Sequence, residues 1–417
     1  MGSFHLVRNL CHRIRADTGA FSAPCGPRFS IVFKTLSTIA LLLLSSVGLY
    51  GQWITGYYIG ENPVQPISAI PWDKYTHIIH STLNLNADGS VYSYVNPDIG
   101  NGIIGAAHNA GKNILIGLSM FSSYAQATSS GVIATSVANI VNFVNTNGYD
   151  GVDIDDEGYG NGWVVNVGQD EDFIRRLRAA MPNKVITMAT GSWGGIPTVA
   201  ANQQYNLDQI NVMCYDDDGG DHNSSFTAWY NESIVGHCDQ RVAAVISAGV
   251  AASKIGGGMP SYGRRSFGCT GVNQTCSSST TIYYRELATD PTRWQSQYQF
   301  YDYIFKSNYL SMSGEFDSFN GVQFAADLVA WGKSLGFGGY FLGHDIGFEY
   351  MSSEAGDARY PLSSALYDAV SGSGGGSAPA GGSAPASTPP TVSTSSLPPG
   401  SVGTAYSQTL AATGTAR

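Results

Sequence analysis

An α/β fold, a (β/α)8 TIM barrel carrying a small α+β insertion between its seventh and eighth strands, is the fold class this sequence predicts. Three observations carry that reading. Short β-branched apolar runs alternate with helix-like segments from Trp53 to about Val370. The runs are Ile54–Tyr58, His77–Leu83, Asn113–Leu118, Gly151–Asp155, Val185–Ala189, Gln209–Met213, Lys254–Met259 and Gly338–Leu342, enough to close a barrel. An acidic run then ends just past the fourth of them, at the carboxyl ends where barrels keep their chemistry.

Each segment has its reason. At the N-terminus Arg28 and Lys34 precede an apolar run through Ile39, Ala40 and Leu41 to Leu44, followed by Ser45, Ser46 and Gly48, the layout of an export signal over residues 1–51. Cleavage near Gly48 or Gly51 and a secreted product are expected, with an uncleaved anchor as the alternative. The apolar core is too short for a stable membrane span, and the long stretch before it suggests a true start downstream of Met1. Residues 52–370 form the barrel domain. Its insertion is expected over 266–316, where the chain is longer than one helix requires and carries Tyr283, Tyr284, Arg285, Glu286, Trp294, Tyr298 and Tyr301.

Past Val370 the composition turns almost wholly to Gly, Ser, Ala, Pro and Thr, a linker over 371–390. Residues 391–417, including Leu397-Pro398-Pro399-Gly400, look like the opening strands of a bacterial immunoglobulin-like repeat, truncated far short of the ~100 residues a sandwich needs. Of six cysteines, Cys11 and Cys25 fall in the leader. Cys269 and Cys276 bracket a short loop that an oxidising compartment can staple, whereas Cys214 and Cys238 read equally well as a bridge or as buried thiols. Their spacing suggests no metal site, and no metal or cofactor is expected.

The 417-residue chain is 12% charged, with a formal net charge of −10 and no basic patch, which argues against nucleic acid. Its 24 tyrosines and 7 tryptophans suit a sugar-binding cleft, because aromatic faces stack on apolar sugar faces. The most informative run is Asp150-Gly151-Val152-Asp153-Ile154-Asp155-Asp156-Glu157. Val152 and Ile154 favour a strand, Gly151 permits close backbone approach, and Gly158 closes the run. Period-two alternation then puts Asp153, Asp155 and Glu157 on one face, neighbours roughly 6–7 Å apart. Like charges so close raise at least one pKa, so one acid should stay protonated near neutral pH. A solvated acidic loop is the bland alternative. Calcium is the other, but an EF-hand loop would need an acidic twelfth ligand and meets Val164.

The run fits the D-G-x-D-x-D-x-E signature at every specified position, and by it the chain resembles glycoside hydrolase family 18, the chitinase family. Met213-Cys214-Tyr215-Asp216, after the sixth strand, is similar to the family's M-x-Y-D motif, and Gly258-Met259-Pro260-Ser261-Tyr262-Gly263-Arg264 to its G-x-P-x-Y-G-R segment. The resemblance implies Glu157 as general acid/base, Asp155 as orienter of a substrate acetamido group, and Asp153 as the residue that shares a proton with Asp155. It implies that the Tyr215 hydroxyl holds the acetamido oxygen in line for attack, with Asp216 adding a hydrogen bond to the sugar. This family replaces the usual carboxylate nucleophile by the substrate's own acetamido oxygen. Alternation sends Met213 and Tyr215 inward and Cys214 outward. Met213, Tyr262, Tyr57 and Trp193 are candidate substrate contacts, with Phe121, Tyr124 and Trp294 as further stacking candidates. Arg264 reads either as a cleft residue or as the partner of a loop carboxylate.

Two departures stand out. The third strand usually ends S-x-G-G in the family and reads Gly117-Leu118-Ser119-Met120 here. The eighth usually ends in a Trp that floors the reacting-sugar subsite, and Gly343 occupies that place, followed by His344-Asp345. The resemblance implies a secreted chitinase, acting as a monomer on chitin or another N-acetylglucosamine-containing polysaccharide. The alternatives are an endo-β-N-acetylglucosaminidase or peptidoglycan-active relative, and a non-catalytic chitin-binding lectin on the same barrel.

Overall fold

The computed structural model describes residues 52–372 except 61–64, 120–122, 156, 159–163, 217–236, 272–273, 275 and 304–305, together with the backbone of 391–392 and 412–413. The leader, most of the linker, most of the tail and Phe121 lie outside the described residues. Among the described residues no helix is long and apolar enough to cross a membrane.

Eight parallel strands close on themselves: β1 (Trp53–Ile59), β2 (His77–Leu85), β4 (Asn113–Ser119), β5 (Gly151–Asp155), β6 (Val185–Thr190), β7 (Gln209–Val212), β8 (Ile255–Pro260) and β14 (Gly339–Gly343). Pairing of β1 with both β2 and β14 completes the ring, and β3 (Val91–Ser93) folds back antiparallel on β2. All eight expected strands are present. The sixth, however, stops at Val212, so Met213 lies beyond it and the motif residues 213–216 leave the sheet.

Alternation decides what each face meets. On β5, Val152 and Ile154 join the main core with Ile186, Met188, Ile210 and Val212 of the next two strands, while Asp153 points into the barrel. Helices cover the apolar side. The Ile133–Asn147 helix buries Ile133, Val137, Ile140 and Val144, a helical spacing, and stops at Gly148 with φ 85. The Val167–Ala180 helix starts at Asn166, whose side chain accepts from Gln169 N, and buries Phe173, Ile174 and Leu177. Each such side chain contributes roughly 1.5–3 kcal/mol of burial. Gly151 opens β5 because nothing larger fits: a Cβ there would lie 1.8 Å from the Val185 carbonyl oxygen.

The barrel interior is polar at its base. Thr55 Oγ1 donates to Gln209 Oε1 at 2.8 Å, and His77 has Gln209 Nε2 at 3.2 Å and Asn113 Nδ2 at 3.1 Å. Burial holds the His77 imidazole down to about 4, so it stays neutral. This layer plugs one end and leaves the acids at the other.

The insertion is a five-stranded antiparallel sheet in the order β10-β9-β13-β12-β11, built from β9 (Tyr262–Phe267), β10 (Ser278–Tyr283), β11 (Gln299–Asp302), β12 (Ser307–Met312) and β13 (Glu315–Phe319), with a short helix Tyr284–Ala288. It therefore begins and ends a few residues outside the expected 266–316, and its first strand carries Tyr262 and Arg264. Strand pairing explains the shift, because Tyr262 already pairs with Tyr283. Trp294 packs here on Tyr284 and Phe319, at 5.8 and 5.6 Å between ring centres, and Tyr124 is buried edge-on to Phe173. Both serve as core, not as cleft platforms. Cys269–Cys276 and Cys214–Cys238 are both disulfides, which decides the open pairing of Cys214.

Candidate active site

Asp153 is fully buried in the barrel interior. Tyr57 Oη donates to its Oδ2 at 2.9 Å and Thr187 Oγ1 to its Oδ1 at 2.5 Å. Burial pushes its carboxyl up to about 6 even though both donors pull the other way. One acid of the run is thus raised, but the cause is desolvation rather than the like-charge crowding expected from the sequence. Asp155 ends β5 half-buried, and Glu157 lies half-buried past the strand end, its carbonyl accepting from Trp193 Nε1 at 3.3 Å.

Facing these acids is a small cluster separate from the main core: Ala189, Met213, Tyr215 and Phe341, with Tyr57, Trp193 and Tyr262 packed against it. Burial raises the Tyr215 phenol well above its ordinary range, and the charges of Asp155, Glu157 and Asp216 add to that. Its hydroxyl therefore keeps its proton and is a hydrogen-bond donor. Tyr57 is raised in the same way, first by burial and then by Asp153 and Asp155. Met213 and Tyr215 point inward while Cys214 joins the outer core, as alternation requires.

Asp216 has φ 59, a left-handed backbone that a non-glycine residue adopts at a cost of about 1–2 kcal/mol. Its carboxylate receives Tyr262 Oη at 2.6 Å and Arg264 Nη2 at 2.8 Å, and Arg264 Nη1 also donates to Thr281 Oγ1 at 2.8 Å. Tyr262 and Arg264 are two apart on β9, so one face of the insertion sheet pins this acid. Arg264 is accordingly the partner of a carboxylate, and it stays partly exposed beside it.

This constellation coincides with a sequence profile: that of Glycosyl hydrolases family 18 matches residues 54–343, from the first barrel strand to the end of the last. The chain belongs to glycosyl hydrolase family 18. Endochitinase 1 of Metarhizium robertsii (strain ARSEF 23 / ATCC MYA-3075) is 27% identical over 263 residues, 51% of this chain and 60% of that protein's length. The family fold recurs in the Ostrinia furnacalis Group IV chitinase solved with allosamidin, at TM-score 0.67 and 17% identity over 77% of this chain and 99% of that one. It recurs in the Nicotiana tobaccum Class V chitinase, at TM-score 0.65 and 16% identity over 76% and 99% of the two chains.

Within this family-18 barrel the missing Trp has a local cause. A Cβ on Gly343 would stand 2.6 Å from Tyr215 Oη and 3.3 Å from Phe341 Cε2. Tyr215 and Phe341, ring centres 6.2 Å apart, occupy the space where a larger side chain would begin. Beyond Gly343, His344 is exposed and meets Tyr262 edge-on at 6.1 Å and Phe348 at 5.8 Å. Asp345 is buried, caps the turn Ile346–Glu349 by accepting from Gly347 N at 2.9 Å, and is pushed up to about 7 by that burial.

Three contributors escaped the sequence reading. Thr187 lies opposite Asp153 in the β5–β6 register, so period-two alternation on both strands could have found it. Phe341 alternates inward on the last strand in the same way. Arg241, on the Cys238–Ser247 helix, gave no signal, because its contacts with the carbonyls of Met213, Tyr215 and Asp216 depend on where that helix docks.

The raised Asp153 carboxyl makes a prediction about pH. Its ordinary value is 3.8 and its folded value about 6, so between them the folded chain keeps a proton that the unfolded chain has released. The stability from this group is fully present below the ordinary value and is lost, up to ~3 kcal/mol in all, as pH rises through the folded value. The melting midpoint of the wild type relative to Asp153→Asn should therefore fall between about pH 4 and about pH 7. A difference independent of pH would refute the raised value.

Proposed function

We propose that this chain is a secreted chitinase that hydrolyses internal β-1,4 bonds of N-acetylglucosamine polymers with retention of configuration. The observation that carries the reading is one cluster: Asp155 and Glu157 at the mouth of the barrel bear on a Tyr215 hydroxyl that keeps its proton, above an Asp153 poised near neutrality. Glu157 protonates the leaving glycosidic oxygen. The acetamido oxygen of the departing bond's own sugar attacks the anomeric carbon, forming an oxazolinium ion, while Tyr215 orients that oxygen and Asp155 takes the amide N–H. Asp153 shares the proton with Asp155, which lets Asp155 change its charge as the ion forms. Water activated by Glu157 then opens the ring, and the two inversions give net retention. Asp216, Tyr262 and Arg264 line one wall of the cleft, with Met213, Tyr57 and Trp193 bordering the reacting sugar.

The same proposal includes export through residues 1–51, supported by Arg28 and Lys34 ahead of the apolar run to Leu44, action as a monomer, and an immunoglobulin-like segment over 391–417, supported by its likeness to the opening strands of such a repeat. The decisive experiment compares the N-acetylglucosamine hexamer with its fully deacetylated counterpart, reading products by mass spectrometry and the first-formed anomer by NMR. Cleavage confined to the acetylated chain with β-product first is expected. Equal cleavage of both, or α-product first, would sink the substrate-assisted reading. Gly343 favours a second reading, because a floor without Trp is open to other partners: an endo-β-N-acetylglucosaminidase acting on N-glycan cores. A glycoprotein assayed beside the hexamer decides between them. Tight chitin binding with no reducing ends released would point instead to a lectin.

A further inference from the structure

The segment that carries Tyr215 and Asp216 has no ladder to hold it. The last pairings of β7 join Val212 to Thr190 on one side and to Gly257 on the other, and Met213 N still reaches Thr190 O at 2.9 Å. After that the chain turns out of the sheet, and the carbonyls of Met213, Tyr215 and Asp216 need partners elsewhere. One side chain serves all three. Arg241 Nη1 donates to Met213 O at 2.6 Å and to Tyr215 O at 2.5 Å, and its Nη2 donates to Asp216 O at 3.0 Å.

Arg241 is only 6% exposed and lies one turn into the Cys238–Ser247 helix. The same helix is tied to the segment by the Cys214–Cys238 disulfide, whose Cys214 stands between Met213 and Tyr215. The guanidinium also sits over the Trp193 ring, 5.0 Å from its centre, and Trp193 Nε1 donates to the Glu157 carbonyl at 3.3 Å. A single cation thus contacts the Tyr215 segment directly and the Glu157 end of the site through Trp193.

We propose that Arg241 is a positioning residue, setting the Tyr215 hydroxyl and Asp216 against Glu157 by holding the carbonyls of residues 213, 215 and 216 while it lies on Trp193. The chemistry requires arginine. A planar fork reaches several carbonyls in one plane and presents its face to an indole, whereas a lysine ammonium is a point donor with no such face. A side chain needed only to pack this helix would be apolar, since burying a guanidinium carries a desolvation cost.

The inference rests on the catalytic reading above, and the test separates the two. Arg241→Lys and Arg241→Met are assayed in the full chain on a chitin oligosaccharide beside Glu157→Gln. Both Arg241 variants should lose about 10²-fold in kcat, the cost of a displacement of order 1 Å, with KM within about threefold of wild type. Both should keep a cooperative melt, because the disulfide still ties the helix to residue 214. A Lys variant with wild-type kcat, a rise in KM at unchanged kcat, or loss of the cooperative melt in both variants would each overturn the positioning role. If Glu157→Gln turns over like wild type, the catalytic reading fails and this inference with it. If Glu157→Gln is inactive while Arg241→Lys is fully active, the positioning role alone fails.

Discussion

Glu157→Gln should lower turnover of a chitin oligosaccharide by roughly 10³-fold while leaving the folded state and substrate binding close to wild type. Glutamine keeps the size of glutamate but has no proton to give, so the variant removes the proposed acid and little else. The backbone carbonyl of residue 157, which takes the Trp193 N–H, is untouched by the change. Residue 157 also lies past the end of β5, so it takes no part in the barrel's backbone ladder. The measurement is kcat and KM on the same oligosaccharide, with a melt to show the fold is kept. Because a general acid acts in the transition state, the proposed role puts the loss on kcat. Turnover close to wild type would remove Glu157 from the mechanism.

Gly343→Trp, the substitution that restores the family's usual residue, should damage this protein. Its Cβ would start 2.6 Å from Tyr215 Oη, and Tyr215 is hemmed in by Phe341 and Tyr262 at 6.2 and 6.1 Å between ring centres. Room is made only by moving Tyr215, and overpacking of this kind costs about 1–3 kcal/mol. Displacing the hydroxyl by about 1 Å costs on the order of 10²-fold in rate. Gly343→Ala already carries the clash and should show the rate loss at lower cost to stability. Kinetics and melting midpoints of the two variants measure both effects. Improved kcat/KM in Gly343→Trp would show that Tyr215 can yield and that the floor is merely absent.

The two substitutions differ in how they could be foreseen. Glu157 was legible because a strand's alternation and the barrel's geometry both place the end of the Asp150–Glu157 run at a reactive rim. The inward Tyr215 and outward Cys214 followed from the same alternation and hold even where β7 has ended. Gly343 was legible only as a departure. Its reason, the nearness of the Tyr215 hydroxyl, is a contact between residues more than a hundred positions apart. Arg264 shows the same limit: sequence left it between cleft and carboxylate, and the fold places it on Asp216.

The sequence by itself determined the eight barrel strands, the acidic run and the family, because each of these depends on local period and on motifs a few residues long. The tertiary structure alone decided that burial rather than crowding raises Asp153, that Cys214 is bonded to Cys238, that the insertion sheet pins Asp216, and that Arg241 lies between Trp193 and the Tyr215 segment. Those depend on which distant side chains share a volume and how much water is left between them, and neither quantity is a property of any short stretch of chain.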